Sequence, residues 1–354
     1  MKNVYYLPDY KTNNNGLVDA LKVCDFKFID EQISLYNIKK IMKIDLFILN
    51  WYENIYYNEN IIISYIKKQI YLNLIKLCRK EIIFVIHNRQ PHIKNLEIPN
   101  IYLSHKLLKY TIKKADYVVM LSNHTLDSFS KKDQKYFHKY GNKFFYIPHR
   151  DFHHLYKEVK NTKWSGLRML FLGSPEVYKN PEILLKVMND LTDKNISLTF
   201  EGSCDSNTKK RLKTITNNEK VFFNFNFVKD EDLSELFSNY DLCIYPFSLD
   251  CCINSSSVLL SLSLHKTVIS SNISTLRDIP SNLYYSYTYN NNNEHEEQLK
   301  KIIINAYEDK LKNPEVFIHK GDLCAAYLRK NNNQRVINEN MKHMLETKQK
   351  KKDK

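Results

Sequence analysis

Short apolar runs alternate with segments of helical period along the whole chain, and few folds accept that order. In the first half, KNVYYL, KIDLFILN, EIIFVIH, DYVVML and KFFYIP read as strands. Between them lie GLVDALKVC, NENIIISYIKKQIYLNLIKLC, SHKLLKYTIKKA and a segment near 122–138, all of helical period. In the second half, LRMLFLG, ISLTFEG, KVFFNF, DLCIYPF and TVISS read as strands. They alternate with PEILLKVMNDL, a helix near 206–215, DEDLSELFSNY and SSSVLLSLSL. Such alternation predicts βαβ units and parallel sheets. The strands carry few internal charges, as expected when helices cover both sheet faces.

A chain of 354 residues exceeds one core of ordinary size. The polar stretch 148–166 opens at Pro148, ends at Gly166 and interrupts the alternation. The expected fold is therefore α/β, with two Rossmann-like, doubly wound domains facing across a cleft. The first spans 1–150, a linker 151–166, and the second domain 167–320. Residues 281–295 read as an Asn/Tyr/Ser-rich loop. A helix over 321–345 closes the chain, and 346–354 reads as a disordered basic tail. Ligands of such sheets bind beyond the carboxyl ends of the strands, where helix N-termini favour anions.

Composition narrows the function classes. The seven cysteines have no CxxC spacing, so they read as reduced thiols, with no zinc site. MKNVYYLPDY lacks the long apolar core of a signal peptide, and the apolar runs are strand-length, so a cytoplasmic protein is expected. The formal charge is +14, carried unevenly. Residues 1–160 hold 26 Lys+Arg against 15 Asp+Glu, while the remainder holds 27 against 24. A basic first half suits contact with an anionic membrane surface. The alternative is compositional bias with solvated lysines. No nucleic-acid-binding motif is present, so that partner ranks last.

Two segments carry candidate chemistry. In FLGSPEVYKNPEILLKVM (171–188), Gly173 ends a strand, Ser174 opens the loop, and Lys179 precedes a helix begun by Pro181. Lys179 can reach a phosphate; an ordinary βα turn is the alternative. In IYPFSLDCCINSSSVLLSLSLHKTVISS (244–271), Ser255, Ser256 and Ser257 open an apolar helix. Their amides and hydroxyls could cradle a diphosphate, or simply cap the helix.

With ISLTFEG (196–202) and FNFVKDEDLSELFSNYDLCIYP (225–246) between them, these segments resemble the donor domain of GT-B glycosyltransferases. Family 4 and its bacterial polysaccharide-assembly relatives are the nearest match, over about 167–280. FVIHNRQPH (84–92), ADYVVMLSNHTLDSF (115–129) and FFYIPHRDFHHLY (144–156) resemble the acceptor domain. The resemblance implies transfer from a nucleotide-diphosphate-sugar to a glycan or polyprenyl-linked acceptor, with no cofactor. It implies donor contacts from Gly173, Ser174, Lys179, Gly202, Phe227 and Ser255–Ser257. It makes His87 a sugar-contacting histidine, with Asn14, His92 and His149 on the acceptor side.

The sequence departs from that family where it matters. The positions of the usual E-x7-E pair hold Cys252 and Leu260, Ser174 stands where an arginine is common, and Glu176 adds negative charge nearby. Lys179 and the amides at 255–257 are the groups expected to stabilise the leaving diphosphate, without a metal. Asp230–Glu231–Asp232 looks like a metal motif but fits a helix N-terminus better. For an inverting reaction the candidate base is Glu53, with Asp9 and Asp151 as rivals. Trp51, Tyr52, Tyr56 and Tyr57 could stack on sugar faces or pack internally. The alternatives are a GT-B-fold nucleotide-sugar epimerase and a non-catalytic partner subunit.

Overall fold

The structure, a computed structural model, describes all residues except 9–14, 30–36, 58–59, 94–96, 157–164 and 353–354, and describes no side chains over 348–352. The chain divides into two compact units. Unit 1 comprises Met1–Arg150 and Asn332–Lys354, and unit 2 comprises Asp151–Asn331.

Unit 1 runs β1 (Lys2–Leu7), α1 (Gly16–Val23), β2 (Phe26–Phe28), α2 (Ile38–Met42), β3 (Leu46–Asn50), α3 (Ile61–Leu77), β4 (Glu81–Ile86), α4 (Ile101–Lys114), β5 (Tyr117–Met120), α5 (Lys131–His138) and β6 (Phe144–Tyr146). The sheet is wholly parallel, in the order β2-β1-β3-β4-β5-β6. Chain order reverses direction between β1 and β3, so that pair flanks the topological switch point. β3 and most of β4 are buried residue after residue, which accounts for their unbroken apolar runs.

Unit 2 runs β7 (Leu167–Leu172), α6 (Pro181–Asn189), β8 (Ile196–Glu201), α7 (Ser206–Ile215), β9 (Val221–Asn224), α8 (Leu233–Ser238), β10 (Leu242–Tyr245), α9 (Ser256–Ser263), β11 (Val268–Ser271), α10 (Ser274–Arg277), β12 (Tyr285–Tyr287), α11 (Asn292–Lys312) and α12 (Val316–Asn331). Its parallel sheet has the order β12-β11-β10-β7-β8-β9, with the switch point between β7 and β10. Two apolar cores cover its faces. One is built on Met169, Phe171 and Phe200, the other on Leu170, Tyr245 and Val258.

Four details differ from the sequence reading. Residues 151–156 are no linker: the Phe152 amide donates to Ser263 Oγ at 3.1 Å, and Phe152 and Tyr156 pack on the unit 2 core. The segment 281–295 contains β12, because Tyr285 and Tyr287 are buried against the neighbouring strand and α11 despite their polar flanks. The helix expected near 122–138 is a short 3-10 turn at Leu126–Ser128 followed by α5. The closing helix is two: α12 ends at Asn331, and α13 (Gln334–Lys352) begins after Asn332–Asn333 and runs through most of the expected tail. The asparagine run breaks the helix because Asn333 Oδ1 caps the new one, accepting from the Val336 amide at 3.1 Å. α13 returns to unit 1, where Ile337, Met341 and Met344 are buried beside Val18 and Leu21 of α1.

Candidate active site

The β7–α6 and β10–α9 loops leave the sheet of unit 2 on either side of its switch point and are tied to each other. The Ser248 amide donates to the Tyr178 carbonyl at 2.7 Å, and Asn180 Nδ2 donates to the Pro246 carbonyl at 2.8 Å. Tyr178 stacks on Phe247, rings 6.1 Å apart and 11° from parallel. Gly173 ends β7 with φ +94, and a Cβ there would lie 3.2 Å from Lys179 Nζ. Gly202 ends β8 with φ +141, and a Cβ there would lie 2.7 Å from the Gly173 carbonyl carbon. Gly202 is thus required by close approach as well as by φ, and Gly173 by φ.

Lys179 is only 7% exposed. Among the described residues its ammonium has no hydrogen bond or ion pair; it lies 5.9 Å from the Phe171 ring centroid. Burial pulls its pKa down to about 8, with Glu176 and Cys252 opposing. A buried cation without a counterion is costly unless an anion arrives. Cys252, at the position of the family glutamate, is buried with its thiol donating to the Asn254 carbonyl at 3.5 Å. Burial raises its pKa well above the ordinary thiol value, so it stays neutral beside Lys179.

The serine run divides its work. Ser255 is the N-cap of α9, its Oγ accepting from the Val258 amide at 3.3 Å, while its O–H keeps its donor capacity. Ser256 is exposed and Ser257 half-buried, and their first-turn amides have no intrahelical acceptor. Ser174 Oγ donates to Glu176 Oε1 at 3.3 Å, so Ser174 holds the neighbouring carboxylate. Phe227 stands 77% exposed on the loop after β9, and no contact brings it to Lys179 among the described residues. Glu201, overlooked in the sequence, ends β8 buried, with Oε2 unpartnered among the described residues and its pKa raised by burial. Its carbonyl accepts from the Gly173 amide at 2.7 Å. An acidic residue closing an apolar strand was the available signal.

Unit 1 gathers a polar cluster at the carboxyl ends of β1, β3 and β4. Asn50 Nδ2 donates to the Leu7 carbonyl at 3.0 Å, which orients the amide so that Oδ1 accepts from His87 Nε2 at 2.8 Å. Trp51, with φ +48, stacks on His87 at 4.1 Å between ring centroids. Burial, reinforced by His149, pulls the His87 pKa down to about 3. The ring is therefore a neutral hydrogen-bonding group and a weak base. His149 is also depressed by burial, and its Nδ1 lies 3.1 Å from the Arg150 carbonyl. His92 Nδ1 is 3.5 Å from Asn88 Nδ2. Asn14 lies outside the described residues, as does Asp9; Asn15 donates to the Tyr6 hydroxyl at 3.1 Å.

Glu53 is buried and faces Lys68 rather than joining the His87 group through any contact among the described residues. Burial raises its carboxyl to about 7, and Oε2 has no partner among the described residues. Lys68 Nζ donates to the Tyr52 and Asn54 carbonyls at 2.9 and 2.8 Å. Asp151 belongs to unit 2, with its Oδ2 3.5 Å from His153 Nδ1. Of the aromatic candidates, Tyr52 is buried, Tyr56 half-buried, and Trp51 and Tyr57 exposed. Asp230–Asp232 form an exposed 3-10 turn leading into α8. Among the described residues no group of three or more His, Cys, Asp or Glu is placed to hold a metal ion, and no helix is long and apolar enough to cross a membrane.

Comparison with known proteins agrees with the fold. The family model for glycosyl transferases group 1 matches residues 154–323, within unit 2. No curated protein matches the chain. Among solved structures, HepE of Anabaena in complex with UDP and glucose has a TM-score of 0.63 at 10% identity, covering 98% of this chain and 100% of that one. Sucrose-phosphate synthase of Thermosynechococcus elongatus gives 0.68 at 12%, covering 98% of each chain. A glycosyltransferase of Rickettsia africae gives 0.65 at 14%, again covering 98% of each. Both sheets and their switch points give the chain the GT-B fold of these structures, and residues 154–323, in its second unit, match the group 1 glycosyltransferase domain.

Proposed function

We propose that this protein moves a sugar from a nucleotide-diphosphate-sugar to a glycan or lipid-linked glycan acceptor, in bacterial surface polysaccharide or glycoconjugate assembly. The single observation that carries the donor half is the buried, uncompensated Lys179 ammonium against Gly173 at the unit 2 switch point. As the bond from anomeric carbon to diphosphate breaks, negative charge grows on the leaving oxygens. Lys179 and the first-turn amides of α9 meet that charge without reorganising. Gly173 and Gly202 keep the approach free of side chains. Solved relatives support the ligand class: HepE is described with UDP-glucose, and starch synthase IV of Arabidopsis with ADP and acarbose.

In unit 1 the neutral His87, braced by Asn50 and Trp51, is assigned to hydrogen-bonding a sugar hydroxyl. Glu53 is the candidate base, if the reaction inverts, because a carboxyl near pKa 7 can take a proton at neutral pH. The lipid-linked acceptor rests on the basic character of residues 1–160.

The test is a melting-temperature panel of UDP, GDP and ADP against the wild type and Lys179→Ala. At least one nucleotide should raise the wild-type midpoint and leave the variant unmoved. A panel without any shift would defeat the donor reading. Cys252 in place of the family glutamate specifically favours a second reading, a partner subunit that no longer transfers. Nucleotide-independent stabilisation of a sister transferase, with no sugar transfer of its own, would favour it.

A further inference from the structure

The outer face of α3 is apolar where water should meet polar groups. The helix buries Tyr71, Leu72 and Ile75 and turns Ile62, Ile66 and Ile70 outward, at 64%, 46% and 46% exposed. Spaced four residues apart, these three form one stripe, whereas the solvent face of a helix is ordinarily polar. α4 packs beside α3, and Tyr110 of α4 donates to Asn73 of α3 at 2.8 Å across their exposed sides. Along α4, Tyr102, Lys106 and Lys113 share an exposed face, with Lys106 Nζ 4.3 Å from the Tyr102 ring centroid. Of the seven lysines on the two helices, Lys68 turns inward and Lys76 and Lys109 pair with Asp116 and Asp133, which leaves four, and neither helix carries an aspartate or glutamate.

We propose that this face of α3 and α4 seats on an anionic lipid bilayer. The isoleucine stripe and Tyr102 enter the headgroup boundary, while Lys67, Lys106 and Lys113 meet lipid phosphates. A second copy of the chain fits worse. Two-fold pairing of this face would set lysines against lysines, with no carboxylate on either helix to answer them. The inference deepens the lipid-linked acceptor reading, but its geometry is independent of the donor site.

Flotation tests it, with phosphatidylcholine vesicles alone and with roughly 30% phosphatidylglycerol added. The wild type should float with the anionic vesicles only, and less at about 0.5 M salt. The triple variant Ile62→Ser/Ile66→Ser/Ile70→Ser should lose about tenfold in bound fraction. Phe222→Ser, at an exposed aromatic of unit 2, should bind as the wild type does. The triple variant should keep its melting temperature and its nucleotide shift, which separates failure of docking from failure of the donor reading. Wild-type protein that stays in the soluble fraction, or a triple variant that floats equally, overturns the proposal. So does a wild-type dimer in sedimentation velocity that the triple variant abolishes, because a second copy would then cover the face.

Discussion

Lys179 is held where burial disfavours its charge, and that tension makes a sharp prediction. Its pKa falls from the ordinary 10.5 to about 8, so the folded state binds its proton less well than the unfolded chain. The penalty is present below pH 8 and is relieved as pH rises from there toward 10.5. Lys179→Met should therefore stabilise the nucleotide-free protein at pH 7 by on the order of 2–3 kcal/mol, with the gain shrinking above pH 8. The same variant should lose nucleotide stabilisation, and wild-type affinity should fall as pH rises through about 8. Urea melts across pH, with and without nucleotide, read all of this. Glu53 has the opposite sign. A buried carboxyl raised to about 7 contributes stability that is full below the unfolded value and lost as pH climbs through 7. If it is the base, the transfer rate rises through pH 7 and Glu53→Gln loses that limb. A merely structural Glu53 would change the melting profile and leave kcat untouched. At this scale the sequence showed which residue types could act, since a lysine beside a strand-ending glycine and a histidine after an apolar strand are visible as letters. It could not show that Lys179 is buried with no hydrogen bond or ion pair among the described residues, or that burial holds His87 neutral, because both depend on neighbours distant in the chain.

At the scale of elements, the donor site is a meeting of strand ends. Gly202 closes β8 against Gly173 at the end of β7, across 29 positions of sequence. Gly202→Ala would place a methyl on the Gly173 backbone and strain φ, at a cost of about 1–3 kcal/mol. We expect a lower midpoint together with a smaller nucleotide shift; an unchanged shift would mean the two strand ends do not shape the pocket. The alternation of strand and helix was legible throughout, because parallel strands covered on both faces need near-continuous apolar runs. β12 was not, since its Tyr285 and Tyr287 sit among asparagines and serines and are buried by partners that local pattern does not reveal. The serine run before α9 was legible as a helix start, yet only the structure separates the capping Ser255 from the free first-turn amides.

Across the whole molecule, the chain leaves unit 1 near Arg150 and returns to it at Asn332. α13 then fills unit 1 with Ile337, Met341 and Met344, and Gln334 Nε2 donates to the Gly16 carbonyl at 3.0 Å. Truncation after Asn331 should expose that core and lower the stability of unit 1. Met341→Ala alone should cost about 2–5 kcal/mol, as a fully buried methionine replaced by a cavity does. A truncated chain that melts like the full one would show that α13 is dispensable. By itself the sequence determined the number of α/β layers, the boundary near 150, the order of the donor-domain segments and the excess of positive charge in the first half. These are carried by local periodicity and composition. Only tertiary structure decided the strand order that sets each switch point, the return of the last helix to the first unit, and which charged groups are buried without partners. Those follow from long-range packing, in which residues far apart in the chain compete for the same space and the same hydrogen bonds.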